Sequence, residues 1–394
     1  MSEVVIAGIG SVPVGEHWEL SLRTLAARAI HAALRDADGL KPRALFIGNY
    51  LASVVSHQAN LGALLVDNSG LGGIEAFTVE AAGASGAAAF HQAVLALQSG
   101  WIDVALVLGV EKYNDMDGPG LAAAVALSTD YDYEAVNGLT PVGQAALLMQ
   151  RYLHEYKVPR AALGEFSLLA HANAVNNPNA IFREAISRES YEQAELVSDP
   201  LNLLDMAPYL DGAAAVVLAR REALPPDFAR PLVRVSGSSL VVDSLALHDR
   251  ANPLFFQAAA FSMERACGQA GILPTDANFF ELCDAYSIYA ALSLEAAGFA
   301  RPGEAWKLAQ AGCFGLKGQL PICTLGGLKA RGNPLGAAGV YQLVEAAQQL
   351  RGEAGLNQLN DARRGLVQSL GGPASTAVTV VLERVSPTAG PATN

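Results

Sequence analysis

The chain has 394 residues, 51% of them hydrophobic and 16% charged, with a net charge of −12. That length and apolar content are enough for a substantial core in two or three domains, and they exclude a disordered chain. With no Lys/Arg-rich run, nucleic acid is a poor partner, and no stretch of about 18 apolar residues is present to span a membrane.

The opening MSEVVIAGIGSVPVG reads as a strand and a turn, with no basic segment ahead of an apolar one, so a secretion signal is not expected. Val4-Val5-Ile6-Ala7 and Ala44 to Gly48 have the short apolar pattern of buried strands, and Leu22 to Leu34 has helical apolar spacing. A helix over roughly Ala87 to Gln98 precedes the apolar strand Val104 to Gly109. Continuous apolar strands separated by helices predict a mostly parallel sheet covered on both faces. From Lys112 to about Pro200 the pattern changes: Gly, Asp, Tyr and Asn cluster at 114–120 and 129–138, and helices follow near 143–156 and 160–173. This predicts a helical loop domain outside the sheet. Asp211-Gly212 and the apolar run to Leu218 return to the core, and Pro225-Pro226 marks a linker before a new strand at Pro231 to Val235. The expected division is 1–111 with 201–225, 112–200, and 226–394.

The second series repeats the first. Residues 86–98 align without gaps to residues 336–348, with seven of thirteen positions identical. Each segment precedes a strand, Val104 to Gly109 and Gly365 to Ser369. Agreement between two Ala-rich helices can arise by chance, but the matching downstream strands favour duplication. The four cysteines (Cys267, Cys283, Cys313, Cys323) form no Cys-x-x-Cys motif and suit a reducing cytoplasm. The histidines show no metal spacing, and phosphate-loop and dinucleotide fingerprints are missing; Gly70-Leu71-Gly72-Gly73 follows no strand and reads as a turn.

Several ordered segments carry a resemblance. Val79-Glu80-Ala81-Ala82-Gly83-Ala84-Ser85-Gly86, then Val107-Leu108-Gly109-Val110-Glu111-Lys112, then Asp211-Gly212-Ala213, then Gly326-Gly327-Leu328-Lys329-Ala330-Arg331-Gly332-Asn333-Pro334-Leu335-Gly336 run in the family's order. Together they resemble the thiolase superfamily, in the branch of the sterol-carrier-protein-type thiolases. The resemblance implies an α/β thiolase fold, a duplicated αβαβα layered core with a helical loop domain. It also implies acyl-CoA substrates in lipid metabolism, no tightly bound cofactor or metal, and a homodimer paired through the first halves.

It further implies departures. Such thiolases place a nucleophilic cysteine where Gly83 stands and a histidine where Asn333 stands, each three residues before the Gly that opens a repeated helix. A helix N-terminus suits that chemistry, because its free N–H groups lower a thiol pKa and stabilise an oxyanion. Glycine cannot attack a thioester, and asparagine donates hydrogen bonds but relays no proton near neutral pH. Cys283 stands at a third family position, and the second cysteine of many relatives is absent from Leu370-Gly371-Gly372-Pro373. Ordinary thiolysis through Gly83 is therefore ruled out.

Catalytic candidates are Cys283, Asp284, Tyr286 and Asn333, with Gly83 marking the vacant nucleophile. The resemblance assigns thioester binding to Ser85, Gly86, Gly336, Gly371 and Gly372. Cys283 reads either as a small buried residue or as a relocated nucleophile approached by His248. Asn333 reads as an oxyanion donor or a turn residue. Asp284 reads as a general base or a loop anchor, and Tyr341 and His91 as packing. Three functions fit: a non-covalent carbon–carbon lyase of the aldolase type, a non-catalytic acyl-CoA-binding subunit, and an acyltransferase using Cys283. Lyases of this branch work with a small partner carrying a zinc ribbon and an OB-fold.

Overall fold

In the computed structural model, which describes residues 2–385, the first half runs β1 (Val4–Ser11), α1 (Leu22–Asp36), β2 (Ala44–Gly48), α2 (Leu61–Asn68), β3 (Glu75–Val79), α3 (Ser85–Gln98) and β4 (Val104–Glu111). The chain then leaves the sheet through α4 (Gly118–Ala126), α5 (Pro141–Tyr156), α6 (Gly164–Ala174), α7 (Arg188–Glu192) and the short pair β5 (Leu196–Ser198) and β6 (Leu201–Asn202). It returns as β7 (Gly212–Arg220). The second half runs β8 (Val233–Val242), α8 (Gln257–Ala270), β9 (Phe279–Glu281), α9 (Ser287–Ala296), α10 (Ala305–Gln310), α11 (Ala338–Arg351), β10 (Arg364–Gly371) and β11 (Thr376–Arg384).

Nine strands form one sheet in the order β3-β2-β4-β7-β1-β8-β11-β10-β9. Read outward from the central β1–β8 pair, β7-β4-β2 on one side mirrors β11-β10-β9 on the other. The directions match as well: β2 with β4 and β9 with β10 are parallel, and the pairs nearer the centre are antiparallel. The duplication read from residues 86–98 and 336–348 is thus built into the topology. Only β3 lacks a full counterpart; a single parallel bridge between Phe280 and Ile322 stands in its place.

A mostly parallel sheet was expected, and this is corrected: five neighbouring pairs are antiparallel and three are parallel. The physical reason is that β1, β4, β7, β10 and β11 are buried on both faces. Double burial gives a continuous apolar run whatever the strand direction.

Helix placement follows from sequence. Ser21 caps α1 by accepting the Thr24 N–H at 3.3 Å, and Leu22, Leu25, Ala26, Ala29, Ile30 and Ala33 make one buried stripe at helical spacing. Burying each larger aliphatic side chain contributes about 1.5–3 kcal/mol. In contrast, α11 is buried on every side, because it and α3 form the middle layer and touch strands of both halves. Glycine allows the two helix starts to meet: a Cβ on Gly86 would fall 2.8 Å from the carbonyl oxygen of Gly336. No helix among the described residues is long and apolar enough to cross a membrane.

Candidate active site

Two short 3₁₀ turns, Ala82–Ala84 and Leu335–Ala337, lead into α3 and α11. Ala82 and Leu335 enter them at φ of 49° and 44°, the left-handed region that non-glycine residues rarely occupy and that fixes the turn's direction. Gly83 and Asn333 line one cavity of about 60 Å³ between these turns, together with Cys283, Tyr286, Tyr209 and Tyr289. The structure thus brings Gly83 and Asn333 together with two further sequence candidates, Cys283 and Tyr286.

Gly83 borders the cavity and meets backbone on one side. A Cβ there would lie 2.8 Å from the carbonyl oxygen of Leu370, near the end of β10. Gly83→Ala is expected to destabilise the protein by about 1–3 kcal/mol, the usual range for overpacking a filled site. Chemical denaturation checks this; an unchanged midpoint means that the end of β10 can retreat freely.

Asn333 is held by three hydrogen bonds. Its Oδ1 accepts the Leu335 N–H at 3.1 Å, its own N–H donates to Pro208 O at 2.9 Å, and its carbonyl accepts from Leu210 N at 3.1 Å. Its Nδ2 has no protein acceptor among the described residues and remains free to donate into the cavity.

Burial pushes the Cys283 thiol up to about 11. Neither imidazole nor carboxylate lines the cavity to activate it. His248 sits more than half exposed beside Asp249, at 3.5 Å, with its ring against Tyr133, away from the cavity. Asp284 is also outside the lining: its Oδ1 accepts the Leu328 N–H at 2.6 Å, which ties down the Gly327–Arg331 turn.

Tyr286 presents its phenol to Tyr209, with the two hydroxyl oxygens 3.0 Å apart. Backbone bridges explain the pairing. The segment before β7 bridges to Tyr286 through Met206 and to Asn333 through Tyr209. Tyr289 stacks edge-on against Tyr286, with centroids 4.9 Å apart. Burial raises the pKa of all three phenols, so they stay protonated at physiological pH and act as donors or relays rather than as standing bases. Sequence reasoning missed Tyr209; the only signal was its place two residues before the Asp211-Gly212 turn.

Of the residues assigned to thioester binding, Gly372 lines the cavity. Ser85 instead staples its own turn, donating to Ala82 O at 2.6 Å and accepting the Ala81 N–H at 2.9 Å. Gly86, Gly336 and Gly371 are sites of close backbone packing. Tyr341 lies within hydrogen-bond reach of Val12 O and Ala213 O, beneath Arg331, and His91 meets Ser238 at 2.8 Å.

Glu111 was also missed as a residue that positions the site. Its buried carboxylate accepts from Asn49 Nδ2 at 2.9 Å, Tyr50 N and Leu51 N at 3.0 Å, and Gly336 N at 3.2 Å. Burial pushes its pKa up to about 7 against the pull of those donors. One carboxylate thus ties the end of β4 to the turn that opens α11. A wider open groove of about 730 Å³ lies near Ser21, His57 and Asp117, but no residue of the two repeated turns lines it. Among the described residues, no cluster of three or more His, Cys, Asp or Glu is placed to hold a metal.

A family profile described as "Thiolase, N-terminal domain" matches residues 4–222, and one described as "Thiolase C-terminal domain-like" matches residues 239–384. The chain belongs to the thiolase family. This thiolase-family chain is 35% identical over 390 residues to an acetyl-CoA acetyltransferase of Methanothermobacter thermautotrophicus, covering 98% of this chain and 100% of that one. It is 26% identical to the 17-hydroxy-3-oxo-4-pregnene-20-carboxyl-CoA lyase of Mycobacterium tuberculosis, over 89% and 92% of the two chains. Among solved structures it superposes on a chain of the Ltp2-ChsH2(DUF35) aldolase with a TM-score of 0.82 and 25% identity, over 97% and 98% of the chains.

Proposed function

We propose that this thiolase-family protein binds acyl-CoA thioesters and cleaves a carbon–carbon bond in them by a retro-aldol step, without an acyl-enzyme. The Tyr209–Tyr286 phenol pair, in the cavity shared by Gly83 and Asn333, carries this reading. Its substrate class is the 3-hydroxyacyl thioester. As the Cα–Cβ bond breaks, the hydroxyl proton passes to one phenol oxygen, whose own proton passes to the second phenol. The second phenol's proton goes to the α-carbon of the departing enolate. A ketone or aldehyde and a shorter acyl-CoA result, and neither tyrosine ends with a changed charge. Asn333 Nδ2 donates to the thioester oxygen as negative charge develops there. Likeness to a CoA lyase and to an aldolase chain supports this reading, while the transferase name of the archaeal relative, at 35% identity, points the other way.

A second reading, an acyl-CoA-binding subunit without activity, has its own support. The cavity of about 60 Å³ falls well below the roughly 300–1,000 Å³ of ordinary small-molecule sites. The high thiol pKa and the lack of a lining base argue against an acyltransferase acting through Cys283.

Intact mass and product analysis after incubation with 3-hydroxyacyl-CoAs at pH 8 separates the three. A carbonyl product and a shorter acyl-CoA with unmodified protein is the expected outcome. Unchanged thioesters select the inactive subunit, and an adduct on Cys283 sinks both readings in favour of the transferase.

The proposal extends to assembly. The DUF35 component named with the aldolase supports a small zinc-ribbon/OB-fold partner here, to be sought by co-purification. The half-exposed Phe77 on edge strand β3 supports a homodimer paired there, and a monomer in sedimentation at micromolar concentration counts against it. Of the proposed domain boundaries, the exit from the sheet after Glu111 supports 111–112, while the β5–β6 pair spans 200–201 and the chain rejoins the sheet at Gly212.

A further inference from the structure

Away from the two repeated turns, four arginines line a separate cavity of about 440 Å³. Arg221 follows β7, Arg230 lies in the linker before β8, Arg351 ends α11 and Arg384 ends β11. That volume falls within the roughly 300–1,000 Å³ of ordinary small-molecule sites. Phe228 and Leu350 add an apolar wall. Helix α11 separates this cavity from the one at Gly83 and Asn333. Ala338, at the start of α11, lines that site, and Arg351 lies about 20 Å further along the helix axis.

The arginines here are short of partners. Asp36 serves two of them at once: one carboxylate oxygen accepts from Arg230 Nη2 and the other from Arg351 Nη1 at 2.6 Å. The Ile9 N–H also donates to that second oxygen, at 2.9 Å. Arg221 pairs with Glu3, and Arg384 is exposed with no ion pair among the described residues. The side chain of Arg351 is fully buried, yet its Nε and Nη2 have no hydrogen-bond partner among the described residues. Burial lowers its pKa to about 10, against the pull of Glu353 and with the help of the Arg230 cation, so it stays charged near neutral pH. A buried guanidinium with two unmet donors is costly, and an anion in the adjoining cavity would supply the missing acceptors.

We infer that this cavity binds the phosphoryl group of a small phosphorylated molecule. Its terminal oxygens accept from Arg230, Arg384 and the unpartnered Nη2 of Arg351, and the Phe228 wall covers the group that bears the phosphate. A phosphoryl group presents three terminal oxygens to guanidinium forks from several directions, where a carboxylate presents two in one plane. The inference does not depend on thioester cleavage at the other cavity.

Calorimetric titration of the full-length protein with inorganic pyrophosphate, ADP and malonate tests it. Pyrophosphate is expected to bind with a Kd below about 1 mM. Arg351→Lys keeps the charge but loses the fork, and is expected to weaken binding about tenfold, the worth of one charged hydrogen bond. Arg384→Gln, at the surface, is expected to weaken it about two- to fivefold. It decides alone if the buried variant does not fold. No binding of pyrophosphate or ADP up to about 10 mM overturns the site. Binding that these substitutions leave unchanged places the anion elsewhere and overturns it as well. Malonate binding as tightly as pyrophosphate overturns the phosphoryl assignment. ADP binding more tightly than pyrophosphate supports a nucleotide as the source, and equal affinities support inorganic phosphate.

Discussion

Tyr286→Phe is expected to slow carbon–carbon cleavage by about 10²–10⁴-fold, the usual worth of a positioned proton-transfer group, with little change in acyl-CoA affinity. The substitution removes one oxygen and leaves the ring that packs on Tyr289. Tyr209→Phe breaks the same 3.0 Å contact from its other end. If the two phenols act as one relay, the double variant is no slower than either single one, because each loss already interrupts proton movement. Multiplicative losses contradict a relay and leave two independent donors. The relay uses protonated phenols, whose pKa values burial raises, so the rate is expected to show no loss from phenol ionisation between pH 7 and roughly pH 10. Single-turnover rates across that range, for wild-type and both variants, supply the check.

Glu111→Gln is expected to destabilise the protein markedly. The carboxylate takes four hydrogen bonds on two oxygens. Gln replaces one oxygen with an NH₂ that faces donors instead of accepting from them. Two buried donors are then unsatisfied, at about 1–3 kcal/mol each, against a total stability of about 5–15 kcal/mol. The pH dependence has a definite sign. Burial raises this carboxyl's pKa to about 7 in the folded protein. The unfolded chain therefore releases the proton first, and Glu111 makes stability fall as pH rises from the ordinary carboxylate range toward 7. Above pH 7 both states are ionised and its contribution is level. The wild-type-minus-variant difference in denaturation midpoint should narrow from pH 5 to pH 7 and then hold constant. A difference that widens over that window contradicts the direction of the shift.

The fold was legible where local pattern and burial agree. Ala44 to Gly48 is apolar throughout and forms the strand expected of it, and the repeated Gly-Ala-Ala helices occupy the middle layer as duplicated elements. Strand direction was not legible, since a doubly buried strand such as β7 looks the same whichever way it runs. Nor was β3, whose mixed burial at the sheet edge breaks the apolar run. At the site, the resemblance to thiolases pointed to Gly83 and Asn333, and the repeat put the two in register, three residues before Gly86 and Gly336. Tyr209 escaped notice because its partner is 77 residues away, and only tertiary bridging joins them. Glu111 escaped for a related reason: three of its four donors come from the loop after β2 and one from the opposite half. Asp284 sat next to the right residues in sequence, yet its carboxylate serves a neighbouring turn.

The contact between Gly83 and the Leu370 carbonyl also bears on redesign of this site. A thiol introduced at position 83 brings a Cβ within 2.8 Å of that carbonyl, so the end of β10 has to shift to admit it. The cavity lining holds no imidazole to activate such a thiol, and position 333 offers an amide in its place. A nucleophile at position 83 therefore needs both a relaxed strand end and a second change at position 333 before it can act.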